Sequence, residues 1–184
     1  MSNFNQFGEL SNNEILVFYL GQKPNSEGRK IEEIWSWNYQ ELEGVHNYIQ
    51  WLFPLREASR FNRDAPILTD ATIAVFSSND NLKARLVQSL KVMLKYYGLQ
   101  CNDLSRNLIE VTRSEEYPQR KMAWINPRNH NYLRITRILT SLTILGLPDY
   151  AQALFKCLDE IYQEEEAKIG RETYRYWKAA LKNH

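Results

Sequence analysis

Apolar residues recur at intervals of three and four along most of the chain, which is the spacing of one face of an α-helix. Alternating runs of Val, Ile and Thr and Asn-Gly hairpin signals, which are typical of strands, are absent. The pattern predicts an all-α protein, a single compact domain of about seven to nine helices over residues 1–184. The clearest stripes fall in residues 15–19, 42–53, 82–97, 135–142, 150–161 and 174–181.

Capping residues and helix breakers predict where several of these helices begin and end. Ser11 and Glu14 fit a capping box before the first stripe. Asp80 is a candidate N-cap for the long helix that Gly98 ends. These positions predict helix boundaries and carry no chemistry of their own.

The stripe at 42–53 is predicted to be one helix that ends at Pro54, whose ring disfavours helix at the preceding residue. Residues 54–68 show little periodicity, and we expect an ordered, proline-containing loop at the surface. Thr69 then fits the N-cap of the next helix. The pattern is weakest in residues 101–128, where it allows a short helix at about 104–111.

Charge and composition exclude several classes of protein. The chain has 23 basic and 22 acidic residues, so its net charge of +1 implies no general attraction to nucleic acid or anionic lipid. A mixed basic and aromatic stretch at 115–124 contains acids, and a nucleic-acid partner is not expected. No apolar run approaches the roughly 18 residues of a membrane span, and the amino-terminal residues do not resemble a signal peptide. We therefore expect a cytoplasmic protein.

Sequence motifs for common catalytic and cofactor sites are missing. Cys101 and Cys157 belong to no C-x-x-C pair, which argues against a disulfide framework or a zinc site. The chain has no P-loop, no dinucleotide-binding glycine motif, no G-x-S-x-G and no H-E-x-x-H. The sequence predicts no cofactor and no metal.

A first polar group lies in the predicted helix at 42–53. A helical wheel places His46 at the edge of the apolar face, Gln50 one turn further on, and Trp51 nearly opposite. His46 fits either a structural hydrogen bond between helices or a ligand or acid–base role. Trp51 fits core packing or a contact with a partner.

A second polar stripe lies in "NHNYLRITRILTSL", residues 129–142. His130, Arg134, Arg137 and Ser141 follow one another at spacings of four, three and four, which places them on one narrow sector of a helix. The two arginines can hold a carboxylate or phosphate through forked hydrogen bonds. The alternative is a structural ion-pair network in which the arginines meet acids of other segments, for example Glu41, Glu43 or Glu57.

Four segments carry a resemblance to a known family: "IEEIW", "LEGVHNYIQWLFPLREAS", "FNRDAPILT" and "NHNYLRITRILTSLTILGL". These segments are long. Through them the chain resembles the conserved domain of the opioid growth factor receptor family over residues 14–165. It is similar to the short, single-domain, microbial-type members of that family. The resemblance implies a helical binding domain and not a known enzyme, and it gives no catalytic residues to transfer. Animal members of that family are described as receptors for an enkephalin peptide, associated with the nuclear envelope and with growth inhibition, and they carry additional C-terminal material.

Two functional hypotheses follow. The first is a domain that binds a peptide or protein partner, or a small acidic or phosphate ligand, with Trp51 as an apolar contact and Arg134 and Arg137 on a carboxylate. The alternative is an enzyme or nucleic-acid-processing factor in which His46 or His130 moves a proton beside a phosphate. The candidate ligand-binding residues are His46, Gln50, Trp51, Arg56, Asn129, His130, Arg134 and Arg137.

Overall fold

The protein is mostly helical, as predicted. The computed structural model describes residues 13–105 and 108–182, and in these residues ten helices accompany one two-stranded antiparallel sheet. The chain divides into two compact units, Met1–Ser89 and Leu90–His184. The single-domain organisation stays a prediction. The elements are α1 (Glu14–Tyr19), α2 (Ile31–Trp35), α3 (Tyr39–Gly44), α4 (Ile49–Leu52), α5 (Asp70–Ser78), α6 (Asp80–Tyr97), β1 (Leu99–Ser105), β2 (Leu108–Arg113), α7 (Tyr117–Trp124), α8 (Asn131–Ile144), α9 (Pro148–Ile169) and α10 (Arg171–Ala179).

Aromatic rings form the core of the first unit. The Tyr19 ring meets the Phe76 ring edge-on at 5.0 Å between centroids, which packs α1 against α5. The Phe18 ring lies 5.2 Å from that of Trp51. Each of these four side chains is at most 3% exposed. Burial of such large apolar surfaces is the main stabilising contribution to a core of this kind.

The helix starts agree with the sequence in one case and differ in another. Thr69 caps α5 as predicted, since its hydroxyl accepts the Thr72 N–H at 3.2 Å. Asp80 does not cap α6: Asn79 Oδ1 accepts the Leu82 N–H, while Asp80 pairs with Lys83 one turn on. Helix α1 is capped by Asn13, and the predicted cap Ser11 lies outside the described residues.

The prediction of one helix over 42–53 is wrong. The chain forms two short helices, α3 and α4, because Val45 turns to an extended conformation with φ −88° and ψ 130°. Two residues that follow Val45 form hydrogen bonds through their side chains. Asn47 Oδ1 accepts a hydrogen bond from Arg29, and the Tyr48 hydroxyl donates to the Leu42 carbonyl. These side-chain bonds compete with the helix, so His46 and Gln50 do not share a helical face.

Residues 54–68 form the predicted ordered loop, which we call the 54–68 loop. Its ends meet where the Leu68 N–H donates to the Leu55 carbonyl at 2.9 Å. In its middle, the buried Ser59 hydroxyl accepts the N–H groups of Phe61 and Asn62, both at 3.2 Å. The loop therefore has a backbone that is fixed at both its ends and its centre.

The second unit begins with the C-terminal half of α6 and a β-hairpin. The apolar stripe predicted for α6 is buried throughout, and Gly98 ends the helix with φ +75°. The sequence allows a helix over residues 104–111, but residues 104–105 and 108–111 instead lie in strands: β1 pairs with β2 in an antiparallel register from Leu99↔Arg113 to Ser105↔Leu108. Strand pairing thus prevails over the weak helical pattern of this segment.

Helices α7 to α10 complete the second unit. Helix α9 packs against α8, β2 and α10, and α10 packs against α8. Two fully buried indoles join these elements through their N–H groups, since Trp124 donates to the Tyr97 carbonyl and Trp177 donates to the Tyr132 carbonyl. A buried tryptophan stabilises best when its polar end is bonded in this way.

Two consecutive glutamates, Glu164 and Glu165, tie the C-terminal end of α9 to neighbouring elements. Glu164 accepts both guanidinium nitrogens of Arg113 from β2, at 2.9 and 2.6 Å. Glu165, whose backbone departs from helical geometry and kinks α9, pairs with Lys121 of α7 and Lys168. The Lys168 and Lys121 ammonium groups hold the pKa of Glu165 below its usual range. The glutamates thus form ion pairs with basic side chains of β2 and α7.

These pairs predict a loss of stability in acid. A carboxyl group with a lowered folded-state pKa contributes stability above its unfolded pKa of about 4.3, and this contribution disappears as the pH falls through the folded pKa. At pH 7 we expect Glu165→Gln to cost about 1 kcal/mol, the upper range for an ion pair near the surface. Between pH 5 and pH 3 the variant should lose less stability than the wild type in urea unfolding.

Glu172→Gln is the matched control for this experiment. Glu172 is an exposed acid of α10 in the same unit, and it forms no ion pair within the described part of the chain. The free energy of unfolding of this variant should change with pH in the same way as that of the wild type. Equal profiles for all three proteins would show that Glu165 contributes nothing to acid sensitivity.

Candidate functional site

The four candidate residues of the first unit occupy different environments. Trp51 is 3% exposed and packs in the core, so it is not a surface contact. His46 is exposed between α3 and α4, and its Nδ1–H donates to the Gly44 carbonyl at 2.8 Å. Arg56 is exposed and forms an ion pair with Asp70 at the start of α5. The structure does not gather these residues into one polar surface.

Gln50 has a structural contact that the helical wheel did not predict. Its side chain is 4% exposed, and its amide nitrogen lies 3.5 Å from the Ser59 hydroxyl. Ser59 in turn holds the centre of the 54–68 loop. Gln50 therefore supports that loop from α4.

The four candidates of the second unit, Asn129, His130, Arg134 and Arg137, lie in the turn before α8 and on α8 itself. Asn129 fixes the turn before α8: its amide N–H groups donate to the Ala123 carbonyl and to Asn126 Oδ1, and its own Oδ1 accepts the Asn131 N–H at 2.9 Å. Arg128, directly before it, has a left-handed φ of 60°. Such a conformation is uncommon for arginine and costs energy, so the turn must be held by these bonds.

The polar stripe of α8 forms as predicted, but much of it faces inward. His130 is the half-buried N-cap, Arg134 is 5% exposed, Arg137 is half-buried and Ser141 is fully buried. Arg134 donates to Asn131 Oδ1 at 3.3 Å. The stripe is therefore only partly accessible, through the half-buried His130 and Arg137.

Asn131 joins the stripe to two tyrosines. Its side chain is fully buried, and its Oδ1 accepts hydrogen bonds from Tyr97 at 3.4 Å and from Arg134. Its amide nitrogen donates to the Tyr96 hydroxyl at 3.4 Å. The guanidinium of Arg134 is thus oriented in part by a buried network of uncharged side chains. Leaving a polar group of this network without a hydrogen bond would cost free energy of folding.

Leu133 is an exposed apolar residue that borders this stripe. It is 60% exposed on α8 and lies three residues after His130 and four before Arg137. These spacings place the three side chains on one face of the helix. The result is an exposed apolar side chain between two basic ones, which we call the α8 surface.

The charge distribution around the α8 surface is also uneven. Residues 117–148 contain no Asp or Glu and five basic residues, in a chain whose total net charge is only +1. Lys121 pairs with Glu165, and Arg120 donates to the Tyr96 carbonyl and lies over its ring. A local excess of positive charge attracts anionic ligands even in a nearly neutral protein. A count of acids per segment would have found this signal in the sequence.

Neither metal binding nor membrane insertion gains support from the described residues. No group of three or more His, Cys, Asp or Glu side chains in residues 13–105 and 108–182 could hold a metal ion. Within the same residues no helix has both the length and the apolarity that crossing a bilayer requires. Burial raises the pKa of the Cys157 thiol to about 11, so this group is protonated and weakly nucleophilic at neutral pH.

Comparison with known proteins identifies the family. The family model described as the opioid growth factor receptor (OGFr) conserved region matches residues 9–184. The chain belongs to the opioid growth factor receptor family. This confirms the resemblance carried by the sequence motifs.

Several curated relatives belong to the same family. The chain is 43% identical to the opioid growth factor receptor of Homo sapiens over 163 residues, which cover 85% of this chain and 22% of that protein. It is 41% identical to the receptor of Mus musculus, covering 81% of this chain and 23% of that protein. It is 39% identical to opioid growth factor receptor-like protein 1 of Xenopus tropicalis, covering 77% and 27%. The chain thus spans about a quarter of these relatives. No solved structure matches it.

Proposed function

We propose that this member of the opioid growth factor receptor family is a binding domain that holds an anionic group of a peptide at the α8 surface. The simplest such group is a free C-terminal carboxylate. Arg137 and His130 contact it, Arg134 adds positive charge from behind, and Leu133 packs against an apolar side chain of the peptide. The relatives named above are receptors or receptor-like proteins, which supports a peptide or protein partner.

The observation that carries this proposal is the exposed Leu133 between His130 and Arg137, within a segment free of acids. Apolar contact and a charge-assisted hydrogen bond together supply both affinity and orientation. Trp51, the apolar contact expected from sequence, is a core residue and has no part in the proposal. The alternative of an enzyme or nucleic-acid-processing factor gains no support from the relatives.

Two forms of one enkephalin peptide, with a free and an amidated C-terminus, test the proposal by calorimetric titration of the full chain. We expect the free acid to bind at least about tenfold more tightly, because the amide removes the charge that Arg137 pairs with. Arg137→Gln should abolish this difference, and Leu133→Ala should weaken both forms. Binding of the free acid should also fall as salt is added.

Arg175→Gln is the matched control, since Arg175 is an exposed arginine of the same unit outside the acid-free segment. It should leave both affinities unchanged. Equal binding of the two peptides, or no binding of either, would overturn the proposal.

A further inference from the structure

The 54–68 loop in the first unit carries an unusual side-chain arrangement. Phe61 at its tip is 80% exposed, the largest exposed fraction of any bulky apolar side chain in the described residues. Arg60 and Arg63 on either side are also exposed, and neither forms an ion pair or hydrogen bond through its side chain within the described part of the chain. Burying such a phenylalanine in the fold would contribute about 1.5–3 kcal/mol. The loop gains none of that energy.

Polar side chains nevertheless hold this loop firmly in place. The Ser59 hydroxyl accepts two backbone N–H groups of the loop and contacts Gln50. Asn62, 8% exposed, donates through Nδ2 to the Asn47 carbonyl at 3.1 Å and accepts the Asp64 N–H through Oδ1. Buried hydrogen bonds of this type fix one backbone conformation. The loop therefore presents Phe61 at a defined position.

Aromatic side chains, including phenylalanine, and arginine are enriched in protein–protein interfaces. A surface that is fixed before binding loses less conformational entropy when a partner docks. Arg60 and Arg63 form no ion pair within the described residues, so carboxylates on a protein partner would complement their charge. Glu57 and Asp64, both exposed on the same loop, disfavour a strongly anionic surface such as a phospholipid membrane or nucleic acid.

We propose that Arg60, Phe61 and Arg63 form a preformed docking surface for an acidic, apolar segment of a protein partner. The Phe61 ring packs against apolar side chains of the segment, and the two arginines pair with carboxylates beside them. Gln50, Ser59 and Asn62 are positioning residues, which act by holding the loop. This surface lies in the first unit and does not depend on the function proposed for the α8 surface.

A labelled hexapeptide with blocked ends, acetyl-Glu-Glu-Leu-Phe-Glu-Glu-amide, serves as the probe in fluorescence polarisation with the full chain. We expect saturable binding that weakens at least about tenfold in Phe61→Ala and in the double variant Arg60→Glu, Arg63→Glu. The control is Arg175→Ala with Tyr176→Ala, which removes an adjacent exposed arginine and aromatic from α10. Its affinity should equal that of the wild type.

Variants of Ser59 test whether binding depends on the fixed position of the loop in addition to its three contact side chains. Ser59→Ala keeps all three contact side chains but releases the loop, so we expect weaker probe binding and faster trypsin cleavage after Arg60 and Arg63. Ser59→Thr, which retains a hydroxyl, should restore both. Because Arg60, Phe61 and Arg63 lie outside α8, failure of the carboxylate site at α8 would leave this experiment unaffected.

Three results would overturn the proposal. They are the absence of saturable probe binding, equal affinity of Phe61→Ala and the wild type, and binding to phosphatidylserine vesicles in place of the peptide. The third would assign the same side chains to a lipid surface.

Discussion

Replacement of Trp124 by alanine is expected to destabilise the protein by about 3–5 kcal/mol, the range for removing a large buried aromatic side chain. Trp124 is fully buried at the end of α7, and its ring lies 5.3 Å from that of Tyr97. The substitution opens a cavity and also removes the indole N–H that donates to the Tyr97 carbonyl at 3.1 Å. Urea unfolding followed by circular dichroism measures the loss.

Met122→Ala provides the comparison within the same helix. Met122 is 77% exposed, so its removal should change the free energy of unfolding by less than about 0.5 kcal/mol. Because alanine is a better helix former than methionine, a loss comparable to that of Trp124→Ala would mean that the burial of the indole does not account for the stability of α7.

Gly98→Ala is expected to cost about 2–5 kcal/mol. Gly98 has φ +75°, which an alanine adopts at a cost of about 1–2 kcal/mol. An added Cβ would also lie 2.7 Å from the Tyr117 Cα and 2.8 Å from the Arg120 Cβ, so α7 must move. Forced displacement of packed backbone adds about 1–3 kcal/mol. Hydrogen exchange of the α7 amides should accelerate together with the loss in thermal stability.

The control is Gly28→Ala, which has nearly the same φ of +76° but no atom within 4 Å of the added Cβ. It should cost only the backbone strain and leave exchange in α7 unchanged. If the two variants lose equal stability, the close approach of Tyr117 to Gly98 contributes nothing measurable.

The long helices of this protein can be predicted from sequence because their stabilising contacts follow a local period. The stripe of α6 and the cap at Thr69 depend on residues three or four apart, which the sequence displays directly. The interruption at 45–48 depends on Arg29 bonding to Asn47, a contact across 18 residues. Such a contact leaves no periodic trace. The hairpin was missed for the same reason, since β1 is stabilised by its pairing with β2.

The candidate sites show the same division. The spacing of His130, Arg134 and Arg137 correctly predicted a common stripe on α8, because spacing determines the face of a helix. Spacing does not determine burial, and Arg134 proved to lie beneath the surface with Asn131. The 54–68 loop has no period at all, so its segment "FNRDAPILT" marked the family without indicating that Phe61 is exposed.

The left-handed Arg128 has a consequence for the kinetics of the peptide binding that we propose at α8. A glycine at this position would adopt the same backbone more easily, yet the turn is fixed around an arginine by the three hydrogen bonds of Asn129. The first turn of α8 therefore has little freedom to adjust to a ligand. Peptides that differ in fit should associate at similar rates and differ mainly in how long they remain bound.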